Sequence, residues 1–217
     1  MNRNNDSQRA EMNLEIISNP SEMHQITSKL QKFIENIHNN KSFFTKSYQI
    51  QGNSFPLRLA VIDFECDPPK FFGLLVLNQI YQVYIKSEQI LPKFNRIIVK
   101  LLSLLNGLYL ICFSNHEIRF IKKILPNKLS KNQSNCSLDF LRALKILNIQ
   151  LRMDEGLIPA LFSIGEKPFD DPLLRDNKKV DFHFKEGHFD LILEHNKSCL
   201  LSTLKLLKMR YLKLNLW

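Results

Sequence analysis

An α/β domain built on a mixed sheet is the fold class this sequence predicts, and three observations carry it. Leu57 to Phe64 is an apolar run of strand character that leads into two carboxylates, Asp63 and Glu65. Two more strand-like runs follow, Phe71 to Val76 and Tyr81 to Ile85, with a turn around Leu77-Asn78-Gln79-Ile80, which is the order of an antiparallel meander. Downstream, helical stripes enclose a further buried strand, Leu108 to Phe113, so strands and helices share one layered unit.

Taken in order, helical periodicity opens with Met23, Ile26, Leu30, Phe33, Ile34 and Ile37, behind Pro20-Ser21 as a start. An aromatic and polar stretch separates this helix from the first strand, and Asp67-Pro68-Pro69 breaks the chain after it. Beyond Pro92, the stripe Phe94, Ile97, Ile98, Leu101, Leu102 and Leu105 predicts a helix closed by Asn106-Gly107. A helix is expected from near Ser114 to before Pro126, and another from Ser137 carrying Leu138, Leu141, Leu144 and Leu147. Residues 152–186, with Gly156, Pro159, Gly165, Pro168 and Pro172, read as loops with short helical pieces and leave room for an extra strand, a lid or a partner surface. A last helix starts near His188 and carries Ile192, Leu193, Leu200, Leu201, Leu204, Leu207 and Tyr211. The expected division is a disordered tail over 1–13, a helical extension over 14–50 and one domain over 51–217.

Composition narrows the function classes. With 217 residues and 44% apolar content, the chain has the makings of an ordinary globular core. The longest apolar stretch, Leu101 to Phe113, is 13 residues and is interrupted by Ser103, Asn106 and Gly107, so no membrane span is expected. The polar start, Met1 to Arg9, lacks the apolar centre of a signal peptide. Cys66, Cys112, Cys136 and Cys199 are scattered without a Cys-x-x-Cys pair, which fits a reducing cytoplasm and neither a zinc knuckle nor a disulfide framework. The net charge of +9 favours a polyanionic partner, nucleic acid first. Basic residues cluster at Arg119, Lys122, Lys123, Lys128 and Lys131, and again at Lys197, Lys205, Lys208, Arg210 and Lys213; the plainer account of both runs is a solvated helix face.

Alternation along a strand puts Asp63 and Glu65 on one side and Phe64 on the other. Carboxylates at the end of a core strand call for a cation, and oxygen ligands suit Mg²⁺ or Mn²⁺; the alternative is a solvated strand end. Ser114 and Glu117 have the spacing of a capping box, which explains Glu117 without any chemistry. His195 and Cys199 are four apart and stack on one helical face. His195 suits a general base acting on water near neutral pH, or else is a buried or capping histidine. The pair alone offers too few ligands for zinc. Asn115 and Asn196 either hold phosphate oxygens or hold turns, and Lys197 and Lys205 either contact a nucleic-acid backbone or are surface charges.

The element order, with Asp63-Phe64-Glu65 on its first strand, resembles the ribonuclease H-like fold, an antiparallel meander followed by parallel strands and flanked by helices. Over roughly residues 57 to 214 it is similar to the DEDD-type 3′–5′ exonucleases, in particular their branch of predicted ribonuclease H-like nucleases. Ser114-Asn115-His116-Glu117 resembles the second motif and His195-Asn196-Lys197-Ser198-Cys199 the third. The resemblance implies cleavage of single-stranded DNA or RNA, with Mg²⁺ or Mn²⁺ on Asp63, Glu65 and Glu117, His195 as the base, and backbone contacts from Asn115, Asn196, Lys197 and Lys205. Cys199 stands where that family has Asp. The departure leaves three outcomes: a module that binds nucleic acid or protein without cutting, a site built on the three remaining carboxylates, or recruitment of Asp190 or Glu194, neither of which shares the helical face of Cys199. A scaffold subunit with residues 152–186 as its partner surface is the third class of function.

Overall fold

Apolar and β-branched residues crowd into short runs such as Leu59–Glu65 and Phe71–Val76, and these runs are strands. The computed structural model describes residues 20–50, 58–124, 144–173 and 178–212. In chain order the elements are α1 (Pro20–His38), β1 (Phe44–Gln49), β2 (Leu59–Glu65), β3 (Phe71–Val76), β4 (Gln79–Tyr84), a 3₁₀ turn (Glu88–Ile90), α2 (Leu91–Leu104), β5 (Tyr109–Cys112), α3 (Asn115–Ile124), β6 (Lys145–Asn148), α4 (Leu157–Phe162), α5 (Lys178–Lys185), α6 (Phe189–Leu207) and a closing π-turn (Lys208–Leu212). The strands form one sheet in the order β1-β4-β3-β2-β5-β6. The pairs β1–β4, β4–β3 and β3–β2 are antiparallel, whereas β5 runs parallel to β2 and β6 parallel to β5.

Strand alternation gives each face of the sheet its own core. Ala60, Ile62 and Phe64 join Phe72, Leu74 and Val76 on one face, under Leu30 and Ile34 of α1, Phe94, Ile98 and Leu101 of α2 and Phe120 of α3. Leu59 and Val61 face the other way, with Leu75, Ile80 and Ile111, against Leu200 and Leu204 of α6 and Ala160 and Leu161 of α4. The result is a mixed α/β sheet with helices on both faces. An Arg58–Glu22 ion pair at 3.0 Å ties the start of β2 to α1. Among the described residues, no helix is long and apolar enough to cross a membrane.

Two segments differ from the sequence expectation. Residues 44–49, inside the expected helical extension, form an edge strand beside β4. Half-exposed Thr45 and Lys46 and exposed Ser47 lack the apolar alternation of a core strand, so the backbone ladder and not a hydrophobic pattern defines it. The helix expected from Ser137 is corrected over Lys145–Asn148, which is strand β6; residues 137–143 lie outside the described set. Leu144 and Leu147 are three apart, as in a helix, but Ile146 packs on one face of the sheet and Leu147 on the other. Parallel pairing with β5 satisfies both. The expected tail over 1–13 also lies outside the described residues. Within 152–186 the elements are α4 and α5, with no strand among the described residues.

Candidate metal centre

β2 carries its apolar residues into the sheet and its acids out of it. Pairing with parallel β5 stops at Val61↔Ile111, two residues before Asp63. Cys66 then adopts φ +75°, an uncommon conformation for a residue with a Cβ, and ends the strand directly after Glu65. The acids therefore sit at the carboxyl end of β2, where the chain's path through the sheet changes direction between β2 and β5. That is the usual place for a ligand cleft in an open α/β sheet.

A buried polar relay fixes Asp63. Asp63, Gly73 and Gln82 are register partners across β2, β3 and β4. Gln82 Nε2 donates to Asn196 Oδ1 at 2.9 Å and to the Leu193 carbonyl at 2.7 Å, and Asn196 Nδ2 donates to Asp63 Oδ2 at 2.7 Å. Gly73 makes room for this. A Cβ there would lie 2.1 Å from Asn196 Oδ1 and 2.8 Å from Leu200 Cδ1, so only glycine lets α6 approach so closely. Asn196 is thus buried and committed to Asp63 and Gln82.

Glu117 enters from the first turn of α3. Ser114 caps that helix: its hydroxyl accepts from the His116 N–H at 3.1 Å and donates to Glu117 Oε2 at 2.9 Å. The capping geometry and the position at the cleft coexist, because the same carboxylate that closes the cap lines the opening. Asn115 lies at the rim and accepts from Asn148 Nδ2 at 2.9 Å.

The fourth acid, Asp171, comes from the segment 152–186 that sequence reasoning leaves without an account. Two α6 serines hold its loop. Ser198 Oγ donates to the Phe169 carbonyl at 3.2 Å, and the Phe169 N–H donates to Ser202 Oγ at 3.4 Å. Asp171 Oδ1 then accepts from His195 Nδ1 at 2.8 Å. A carboxylate only accepts, so the proton is on Nδ1 and Nε2 turns toward Glu65 Oε1, 3.5 Å away, and Cys199 Sγ, 3.8 Å away. The available signal in the sequence is the run Asn196, Ser198, Ser202 and Thr203 on the inner face of an otherwise apolar helix. Buried polar side chains need partners, and here they find an acid-bearing loop.

Together Asp63, Glu117, Asp171, His195 and Cys199 line a cleft of about 550 Å³, with Glu65 against His195 at its base. The electrostatics are those of crowded anions. Burial, then the neighbouring Asp63, Glu117 and Asp171, push the Glu65 carboxyl well up. Burial also raises Asp63, though hydrogen bonds from Glu65 and Asn196 and the nearby His195 pull it partly back. Burial and Asp63 raise Glu117 to about 7. Among the described residues, no lysine or arginine forms an ion pair with Asp63, Glu65 or Glu117.

The remaining expected residues sit elsewhere. Lys197 pairs with Glu194 at 3.0 Å and covers the Tyr48 ring, and Lys205 pairs with Glu166 at 2.6 Å. Asp190 and Glu194, weighed as substitute ligands, pair with Lys46 and Lys197 and stay away from the cluster. Lys122 and Lys123 are exposed on α3, while Lys128, Lys131 and Lys213 lie outside the described residues. No protein-family model, no curated protein and no solved structure matches this chain.

Proposed function

We propose that this chain is a divalent-metal-dependent nuclease that hydrolyses phosphodiester bonds in single-stranded DNA or RNA from a ribonuclease H-like fold. The observation that carries the reading is the convergence of Asp63, Glu117 and Asp171 on one cleft, with Glu65 beside them against His195 and, among the described residues, no lysine or arginine ion pair to Asp63, Glu65 or Glu117. Carboxylates desolvated together are strongly unfavourable unless a cation offsets them. Oxygen donors from Asp63, Glu65 and Glu117 fit Mg²⁺ or Mn²⁺. The meander followed by two parallel strands, with the acids on the central strand, supports the choice of fold, and the net charge of +9 supports a polyanionic substrate.

The chemistry that a bound ion supplies is charge neutralisation at the phosphate and a more acidic water. The chain's own residues do the rest. Asn196 and Gln82 hold Asp63 in one orientation, Ser114 holds Glu117, and Asp171 fixes the His195 tautomer. His195 Nε2 then faces the cleft as an acceptor for a proton from water. The test is a titration of Mn²⁺ and Mg²⁺ against end-labelled single strands, with Asp63→Asn/Glu65→Gln as control. Ladders of product in the wild type alone are expected, and equal products from the control would sink the reading.

A second reading rests on Cys199, a thiol where a hard oxygen ligand is expected. It makes the protein a binding module that retains the groove without hydrolysis. Salt-sensitive binding with no product at any metal concentration would select it.

A further inference from the structure

Glu65, His195 and Cys199 bring a carboxylate oxygen, an imidazole nitrogen and a sulfur within 4.8 Å of one another. Zinc bonds of about 2.0–2.3 Å in a tetrahedron place neighbouring ligand atoms roughly 3.3–3.5 Å apart. The two pairs through His195 Nε2, at 3.5 and 3.8 Å, already lie close to that spacing. Asp171 supplies what a metal-bound imidazole commonly has, a carboxylate on its other nitrogen that fixes tautomer and ring plane.

We propose that Glu65, His195 Nε2 and Cys199 Sγ bind one Zn²⁺, with Asp171 as the positioning residue for His195 and the fourth position open to the cleft. The inference rests on the metal-centre reading above and names the ion for its inner position. Oxygen, nitrogen and sulfur together form a donor set of intermediate softness, which suits zinc and disfavours magnesium. Charge agrees: a carboxylate and a thiolate neutralise a divalent cation, and the protons of the Cys199 thiol and the Glu65 carboxyl leave to solvent on binding. In this arrangement His195 Nε2 and Glu65 are zinc ligands, so they give up the base and Mg²⁺ or Mn²⁺ roles assigned above, and the oxygen-only position of Asp63 and Glu117 stays available beside them.

The same three groups, Asp171, His195 and Cys199, also stand in the order of a thiol hydrolase. Their surroundings argue against it. Burial, then Asp63, Glu65, Asp171 and Glu117, hold the Cys199 thiol well above its usual range, the opposite of an activated nucleophile.

The test uses the full chain, stripped with a chelator and titrated with Co²⁺ and then Zn²⁺. Cobalt bound to a thiolate gives an intense near-ultraviolet charge-transfer band. One equivalent of cobalt with that band, displaced by one equivalent of zinc, is expected in the wild type. Cys199→Ser should lose the band, which excludes Cys66, Cys112 and Cys136 as its source. Asp171→Asn should retain the band but bind zinc roughly ten- to a hundredfold more weakly, and its circular dichroism reports whether the fold persists. No band in the wild type, or an unchanged band in Cys199→Ser, overturns the zinc site. A band without nucleic-acid cleavage retains zinc and removes the nuclease; Mn²⁺-dependent cleavage without a band does the reverse.

Discussion

The two faces of strand β2 are built from neighbouring residues and obey different physics. Ala60, Ile62 and Phe64 join an apolar cluster, with Phe64 packed against Phe72 and Phe120 at ring separations of 4.9 and 4.6 Å. On the opposite face, Leu59 and Val61 give way within two residues to Asp63 and Glu65, which meet Asn196, His195 and two further acids. One face is stabilised by burial alone and is insensitive to pH. The other is a concentration of charge that the fold tolerates by keeping protons or, as proposed, by holding a cation. The face toward α1, α2 and α3 is therefore apolar throughout β2, and the face toward α6 changes from apolar packing to buried acids at its end.

The largest effect should come from the apolar face. Phe72→Ala is expected to cost about 3–5 kcal/mol, because it removes a fully buried ring between Phe64 and its neighbours. Denaturant midpoints should show the same loss at pH 5 and pH 8, with or without metal. A loss that depends on pH would break the contrast between the faces.

The acid face should behave in the opposite way. Native Glu117 keeps its proton up to about 7, while the unfolded carboxyl releases it near 4.5. Its contribution is therefore fully present below the unfolded value and is lost as pH rises through that window. The loss is on the order of 3 kcal/mol for this group alone, and Asp63 and Glu65 shift in the same direction. Melting temperature in chelator should fall from pH 5 to pH 8, and a divalent ion should restore most of it at the upper end. A flat profile in chelator would show that the carboxylates find a compensating cation within the chain.

Gly73→Ala probes the junction between the two. Its Cβ would collide with Asn196, which is pinned by Gln82 on one side and Asp63 on the other, and with Leu200. A loss of about 1–3 kcal/mol is expected from overpacking. Metal affinity should weaken along with stability, since Asp63 loses its anchor. Stability lost with metal binding intact would mean that the relay supports α6 and not the site.

The smallest effect should be that of Lys197→Ala. This lysine is partly exposed and engaged with Glu194 and Tyr48, so stability should change by less than about 1 kcal/mol. Binding of a labelled single strand is the informative measurement. Unchanged affinity and salt dependence would assign the nucleic-acid contact to another surface, with Lys122 and Lys123 of α3 the next to substitute.

The local chemistry of the chain determined much of this by itself. The meander, the helices of the first core and the placement of Asp63 and Glu65 on one side of a strand follow from periods of two and 3.6, which depend only on neighbouring residues. Glu117 is equally legible, because a capping box is a four-residue device. The edge strand Phe44–Gln49 and the strand Lys145–Asn148 are not, since partners distant in sequence specify each of them: β4 for one, β5 for the other. The site divides in the same way. His195 and Cys199 share a helical face by spacing alone, but Glu65 reaches them only because α6 packs across β2 and β3 over Gly73. Asp171 joins them only because Ser198 and Ser202 capture its loop. Local sequence sets which way a side chain points from its own backbone; only tertiary packing, which brings together groups more than a hundred residues apart, decides what it meets.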